Sequence, residues 1–222
     1  MNFFERLVHE TTQERNSLYA IPQIQDGIQG DITLETYIAY LEQAYHHVKH
    51  TTPLLMHCGS KLPHNKEFLR NAIAEYIEEE LGHQEWILKD IKNCGGDDDK
   101  VRHSKPNIAT EIMVSYAYDF INRVNPVGFF GMVFVLEGTS INLATKGGQA
   151  IASKLQLNQN CFSYLFSHGS LDLKHMDFFE KLMAQITDPQ DQDDIIHMAK
   201  VMFYLFGNVF KSIPHKDYDR LL

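Results

Sequence analysis

The stretch Ser167-His168-Gly169-Ser170-Leu171-Asp172-Leu173-Lys174-His175 decides the reading of this chain. Its spacing is H-x-x-x-D-x-x-H. In an α-helix, steps of four and three residues bring all three side chains onto one face. The stripe continues into Phe179, Leu182 and Met183, so the trio is expected to face a core. A buried carboxylate beside two imidazoles is costly unless a partner, often a metal, compensates it. The plainer alternative is a helix with two ordinary histidines near its start. Gly169 is the weak point, because a helix beginning at Ser170 would leave His168 outside it.

The rest of the chain reads as helical, without convincing strand alternation. A first helix is expected from Phe3 to Tyr19, followed by a turn-rich stretch from Ile21 to Gly30. Thr33 can cap a second helix that buries Tyr37, Leu41, Tyr45 and Val48. A third runs from about Lys66 to Asn93 and stops at Cys94-Gly95-Gly96. Residues 95–105 read as a polar loop, and Pro106-Asn107 opens a fourth helix that ends at Arg123. A fifth covers about Val127 to Lys154, with Gly147-Gly148 as a candidate break. The sixth region spans Asn158 to Ile186, and Asp188-Pro189 opens the last helix, through Phe210. No linker or repeat is visible. The expectation is one all-α domain over residues 1–222, with about seven helices.

Bulk properties narrow the function. The 222 residues suffice for one large core, and the net charge of −9 argues against nucleic acid or an anionic membrane as partner. No apolar run approaches the roughly 20 residues that span a bilayer. The longest, Pro126 to Leu136, is interrupted by glycine and followed by Glu137. Cys58, Cys94 and Cys161 match neither a disulfide framework nor a zinc ribbon. These features are those of a reduced, cytoplasmic protein.

Three further residues can join the trio. Glu78-Glu79-Glu80-Leu81-Gly82-His83 places Glu80 three residues before His83, with Glu79 nearly as well placed. A Glu-x-x-His pair on one helical face is the arrangement of carboxylate-bridged di-iron bundles. Taken alone it reads more readily as a solvated acidic patch with a surface His. Glu137 sits in Val133-Phe134-Val135-Leu136-Glu137-Gly138, the most apolar helix, where a charge needs a partner. Arg123 or Lys146 would be ordinary partners. Together Glu80, His83, Glu137, His168, Asp172 and His175 offer three carboxylates and three imidazoles. That mixture suits iron or manganese better than zinc and suffices for two ions.

With these motifs in this order, the chain resembles the TenA/PqqC-type, heme-oxygenase-like superfamily. Within it, the closest resemblance is to heme-oxygenase-like di-iron oxidases. Tyr45-His46-His47-Val48-Lys49-His50-Thr51 also resembles that family's second helix. The resemblance implies a seven-helix bundle with two iron ions, manganese being the alternative, between core helices. It implies O₂ as co-substrate and a small amino- or carboxyl-bearing substrate, and homodimers are common for such folds. Tyr45, His47 and Tyr76 are the residues expected to position substrate. One departure stands out: many members carry the first Glu ligand seven residues before the His, and here that place is Tyr76. Glu80 or Glu79 would have to take the role.

The same superfamily supplies two other enzyme readings. A thiaminase-like hydrolase needs a pocket cysteine, and this chain has none near Glu137. Heme binding needs an axial His, for which His9 is the candidate. A non-catalytic metal-binding protein is the remaining alternative. Asp194-x-x-His197 also has ligand spacing, but its acidic cluster suits the first turn of a helix. Most of the His46, His47, His50 cluster is expected at the surface.

Overall fold

Helix ends decide the architecture, since among the described residues every regular element is helical. The computed structural model describes residues 1–215, except for the side chains of residues 168–175. The α-helices are α1 (Phe3–Glu10), α2 (Thr12–Tyr19), α3 (Pro22–Gln29), α4 (Leu34–Val48), α5 (Thr51–Lys61) and α6 (Glu67–Glu80). They continue as α7 (His83–Asn93), α8 (Asp98–His103), α9 (Ile108–Arg123), α10 (Phe130–Leu155), α11 (Ser163–Met183) and α12 (Pro189–Lys211).

The seven expected helices are thus subdivided, and each division has a local cause. The first breaks at Thr11, whose hydroxyl donates back to the Leu7 carbonyl at 2.7 Å. The stretch expected as turns is α3, which starts on Pro22 and stops at Gly30 in the left-handed region. The expected third helix is α6 and α7, separated at Leu81-Gly82. Gly82 has φ 88°, a conformation that a side chain disfavours. The polar loop contains α8, capped by Asp97 through the Lys100 N–H at 2.9 Å. The sequence reading assigned no helix to α5. In the other direction, α10 runs through Gly147-Gly148 and α11 runs through Gly169 without interruption.

α10 is the centre of the packing and lies mainly against α11 and α12. Its approach to α12 depends on Gly131, where an added Cβ would sit 2.3 Å from the Ile195 carbonyl oxygen. By length and composition the helical stretch Pro126–Leu155 could cross a bilayer, contrary to the expectation that no run is long enough. Two thirds of its most apolar window, 67%, is buried inside the protein, so the core accounts for that apolarity. One large apolar cluster joins α10, α11 and α12 to α1–α3, α5, α6 and α9, with Phe130, Phe179 and Ile195 fully buried. A second, around Tyr37, Ile87, Ile91 and Phe162, ties α4 and α7 to the start of α11.

Candidate functional site

The helices enclose a cavity of about 200 Å³, walled by α3, α4, α5, α6, α10, α11 and α12. Most of its wall is aliphatic or aromatic, including Leu54, Leu136, Phe206 and Phe210. The polar groups reaching it include His47, Tyr76, Glu80, Glu137, Thr139 and Ser140. Four residues singled out from the sequence therefore meet at one cavity: His47, Tyr76, Glu80 and Glu137.

Glu80 and His83 face each other across the α6–α7 break. His83 Nδ1 donates to Glu80 Oε2 at 3.0 Å, and the two side chains are only 11% and 3% exposed. The pair was expected on one helical face. It forms instead because the left-handed Gly82 turns the chain and returns His83 to the carboxylate. With Nδ1 protonated, Nε2 carries the ring's lone pair. His83 also stacks on Trp86 at 4.0 Å between ring centroids, which fixes the imidazole plane. Glu80 lines the cavity and His83 lies behind it. Glu79 is exposed, so geometry favours Glu80 between the two carboxylates.

Tyr76 is buried in the cavity wall with its ring edge-on to Phe178 at 5.6 Å. His47 packs edge-on to Phe206 at 5.8 Å. Tyr45 is buried but does not line the cavity; Lys49 Nζ lies 5.1 Å over its ring. The histidines of that region are not at the surface as expected. His46 is buried, hydrogen-bonded to Ser104 Oγ at 2.9 Å and to Lys49 Nζ at 3.1 Å. His50 is half-buried and pairs with the Tyr118 hydroxyl at 3.3 Å.

Of the two ordinary partners considered for Glu137, Arg123 forms a double hydrogen bond with Asp119 at 2.5 and 2.7 Å. His9 is exposed and does not line the cavity. None of the three cysteines lines the cavity. The Cys58 thiol donates to the Pro126 carbonyl at 3.2 Å, and burial pushes it up to about 12. Asp194 accepts from Asn125 at 2.8 Å, in keeping with a structural role.

The trio His168, Asp172 and His175 lies on α11, whose backbone is helical over that stretch; its side chains lie outside the described residues. Among the described residues, no three His, Cys, Asp or Glu side chains converge as a metal site. What the structure does describe is how α11 starts. Its first residues lack a local cap, and Asp90 of α7 supplies one from a distance. Asp90 is fully buried between Ile87 and Ile91, and the sequence reading passed it over. An Asp inside the apolar stripe of an amphipathic helix was the available signal. Thr139 and Ser140 were also missed; two hydroxyls in the most apolar helix were their signal.

A family model described as iron-containing redox enzyme matches residues 38–207, a span that holds Glu79, Glu80, His83, Glu137, His168, Asp172 and His175. No curated protein matches the sequence significantly. Among solved structures, a domain of unknown function with a heme oxygenase-like fold from Shewanella denitrificans has a TM-score of 0.86 at 24% identity. That match covers 98% of this chain and 94% of the other. A TenA homolog from Pseudomonas syringae pv. tomato has a TM-score of 0.78 at 9% identity, covering 94% and 91%. A heme oxygenase from the cyanobacterium Synechocystis, solved with heme, has a TM-score of 0.77 at 10% identity, covering 100% and 96%. The fold is heme oxygenase-like, and all-helical as expected from the sequence.

Proposed function

The chain belongs to the iron-containing redox enzyme family, and on that premise we propose that it is a non-heme di-iron, or iron–manganese, oxidase or oxygenase. Its substrates would be O₂ and a small molecule bearing an amino or carboxyl group. The observation that carries this reading is the convergence of Glu80 and Glu137 on one cavity, with His83 hydrogen-bonded to Glu80.

Oxygen and nitrogen donors of this kind fit iron. Glu80, His83 and Glu137, together with His168, Asp172 and His175 of α11, are the residues that would hold it. Bound iron would supply the electron transfer and O₂ chemistry that amino acid side chains lack. The protein's own contribution is positional and electrostatic. The carboxylates of Glu80 and Glu137 offset cationic charge inside an otherwise apolar chamber. The Glu80–His83 hydrogen bond and the Trp86 stack hold the imidazole in one orientation, the usual task of groups around a metal ligand. Tyr76 and His47 present a phenol oxygen and a ring nitrogen to the cavity, suited to orienting substrate and holding a proton. The aliphatic wall limits water access, which strengthens each polar contact inside.

The test is optical. Protein loaded anaerobically with Fe(II) should be colourless and should develop a visible absorbance band only on exposure to O₂. Absence of any such band from iron-loaded protein would contradict the oxidase reading. A Soret band on hemin addition would move the case to heme binding. The exposure of His9 and the lack of a cysteine in the cavity wall weigh against the heme and thiaminase-like alternatives.

A further inference from the structure

We propose that Thr139 and Ser140 form a hydroxyl subsite that hydrogen-bonds an uncharged hydroxyl or carboxamide on a largely apolar substrate. This deepens the reading above, on which it rests for assigning the cavity to substrate.

Both residues lie near the middle of α10 and both line the cavity. Thr139 is 5% exposed. The Thr139 and Ser140 hydroxyl oxygens are buried and have no hydrogen-bond partner among the described residues. That is unusual for a helix, where Ser and Thr hydroxyls commonly donate to the carbonyl four residues back. This protein does so elsewhere: Thr11 donates to Leu7, Thr12 to Val8 and Ser17 to Gln13, at 2.7, 3.0 and 2.9 Å. A buried hydroxyl left without a bond is destabilising. Two adjacent ones at a cavity wall are therefore suited to a ligand.

The chemistry of that ligand follows from the wall. Each hydroxyl can donate and accept, which matches a hydroxyl or carboxamide. Two carboxylates, Glu80 and Glu137, line the same cavity, and no Lys or Arg does among the described residues. A further anionic group would find no Lys or Arg among the described lining residues to pair with. Ser140 is three residues beyond Glu137, so both lie on one face of α10. The uncharged group is thus held one turn from the proposed iron end. The apolar body lies along Leu143, Ile151, Phe206 and Phe210.

Binding to metal-free protein tests this, so the outcome does not depend on whether iron binds. N-phenyl-1-naphthylamine serves as the cavity dye, displaced by 1-octanol or by 1-fluorooctane. In the double variant Thr139→Val/Ser140→Ala, 1-octanol should displace the dye about tenfold less well, while 1-fluorooctane is unaffected. That is the loss expected for two hydrogen bonds of modest net strength. Ser140→Ala alone should give about a threefold loss, and it serves if the double variant does not fold. Equal displacement by 1-octanol in wild type and both variants would overturn the proposal. So would equal weakening of both ligands, or failure of 1-octanol to displace the dye from wild type.

Discussion

Asp90 caps α11 from a different helix: its Oδ1 accepts from the Ser163 N–H at 3.1 Å and from the Ser163 hydroxyl at 2.5 Å. Oδ2 accepts from the Tyr164 N–H at 2.8 Å. Burial raises the Asp90 pKa, and these hydrogen bonds pull it back. The helix that carries His168, Asp172 and His175 is thereby anchored to the helix that begins with His83.

Replacing Asp90 by Asn puts an amide N–H₂ against a backbone N–H, so at least one cap bond is lost. A cost of about 2 kcal/mol is expected, and for a chain of this size a fall in Tm of about 4–8 °C. Thermal denaturation followed by circular dichroism checks it. An unchanged midpoint would show that the cap does not hold α11.

Trp86 is the only tryptophan, and it stacks on His83. Its fluorescence therefore reports on metal at that imidazole. Anaerobic Fe(II) should quench it and saturate at the stoichiometry of iron binding. In His83→Ala the saturable phase should disappear. Quenching that persists unchanged in the variant would place the metal elsewhere.

His46 predicts a pH dependence of stability. Burial pushes its imidazole down to about 4, with Lys49 and His50 adding repulsion. In the unfolded chain the group titrates near 6.5. Between about pH 4 and 6.5 the unfolded state binds more protons, so stability falls as the pH drops through that window. The loss is on the order of 3 kcal/mol. His46→Gln should flatten this part of the profile in urea unfolding; an equally steep profile in the variant would assign the slope to other groups.

Gly82 separates the effect of conformation from that of space. A Cβ built there meets nothing within 4 Å, so Gly82→Ala costs only the left-handed backbone penalty. That is about 1–2 kcal/mol, and Gly82→Asn should recover part of it. Urea midpoints of the three proteins provide the comparison. No loss in the alanine variant would mean that the α6–α7 turn relaxes freely.

The helical class was legible because apolar periodicity runs through nearly the whole chain. Divisions such as Leu81-Gly82 were not, because Gly82 sits inside an otherwise unbroken periodic stretch and its positive φ leaves no mark on spacing. The Glu80–His83 pairing was legible in substance, although a turn and not a shared helical face produces it. Glu137 was visible as a charge in an apolar run. Asp90 was harder to see, since its partners at Ser163 and Tyr164 are more than seventy positions away. Tyr45 shares a motif with His47 but does not line the cavity, because two positions along the helix is a rotation of about 200°, which turns it toward Lys49.

Iron content after anaerobic loading and desalting tests the central claim most directly, measured for wild type and Asp172→Ala. The account predicts two equivalents of iron per wild-type chain and loss of most of that iron in the variant, with helical circular dichroism retained. Wild-type protein that retains no iron, or a folded Asp172→Ala variant that retains both equivalents, would contradict it.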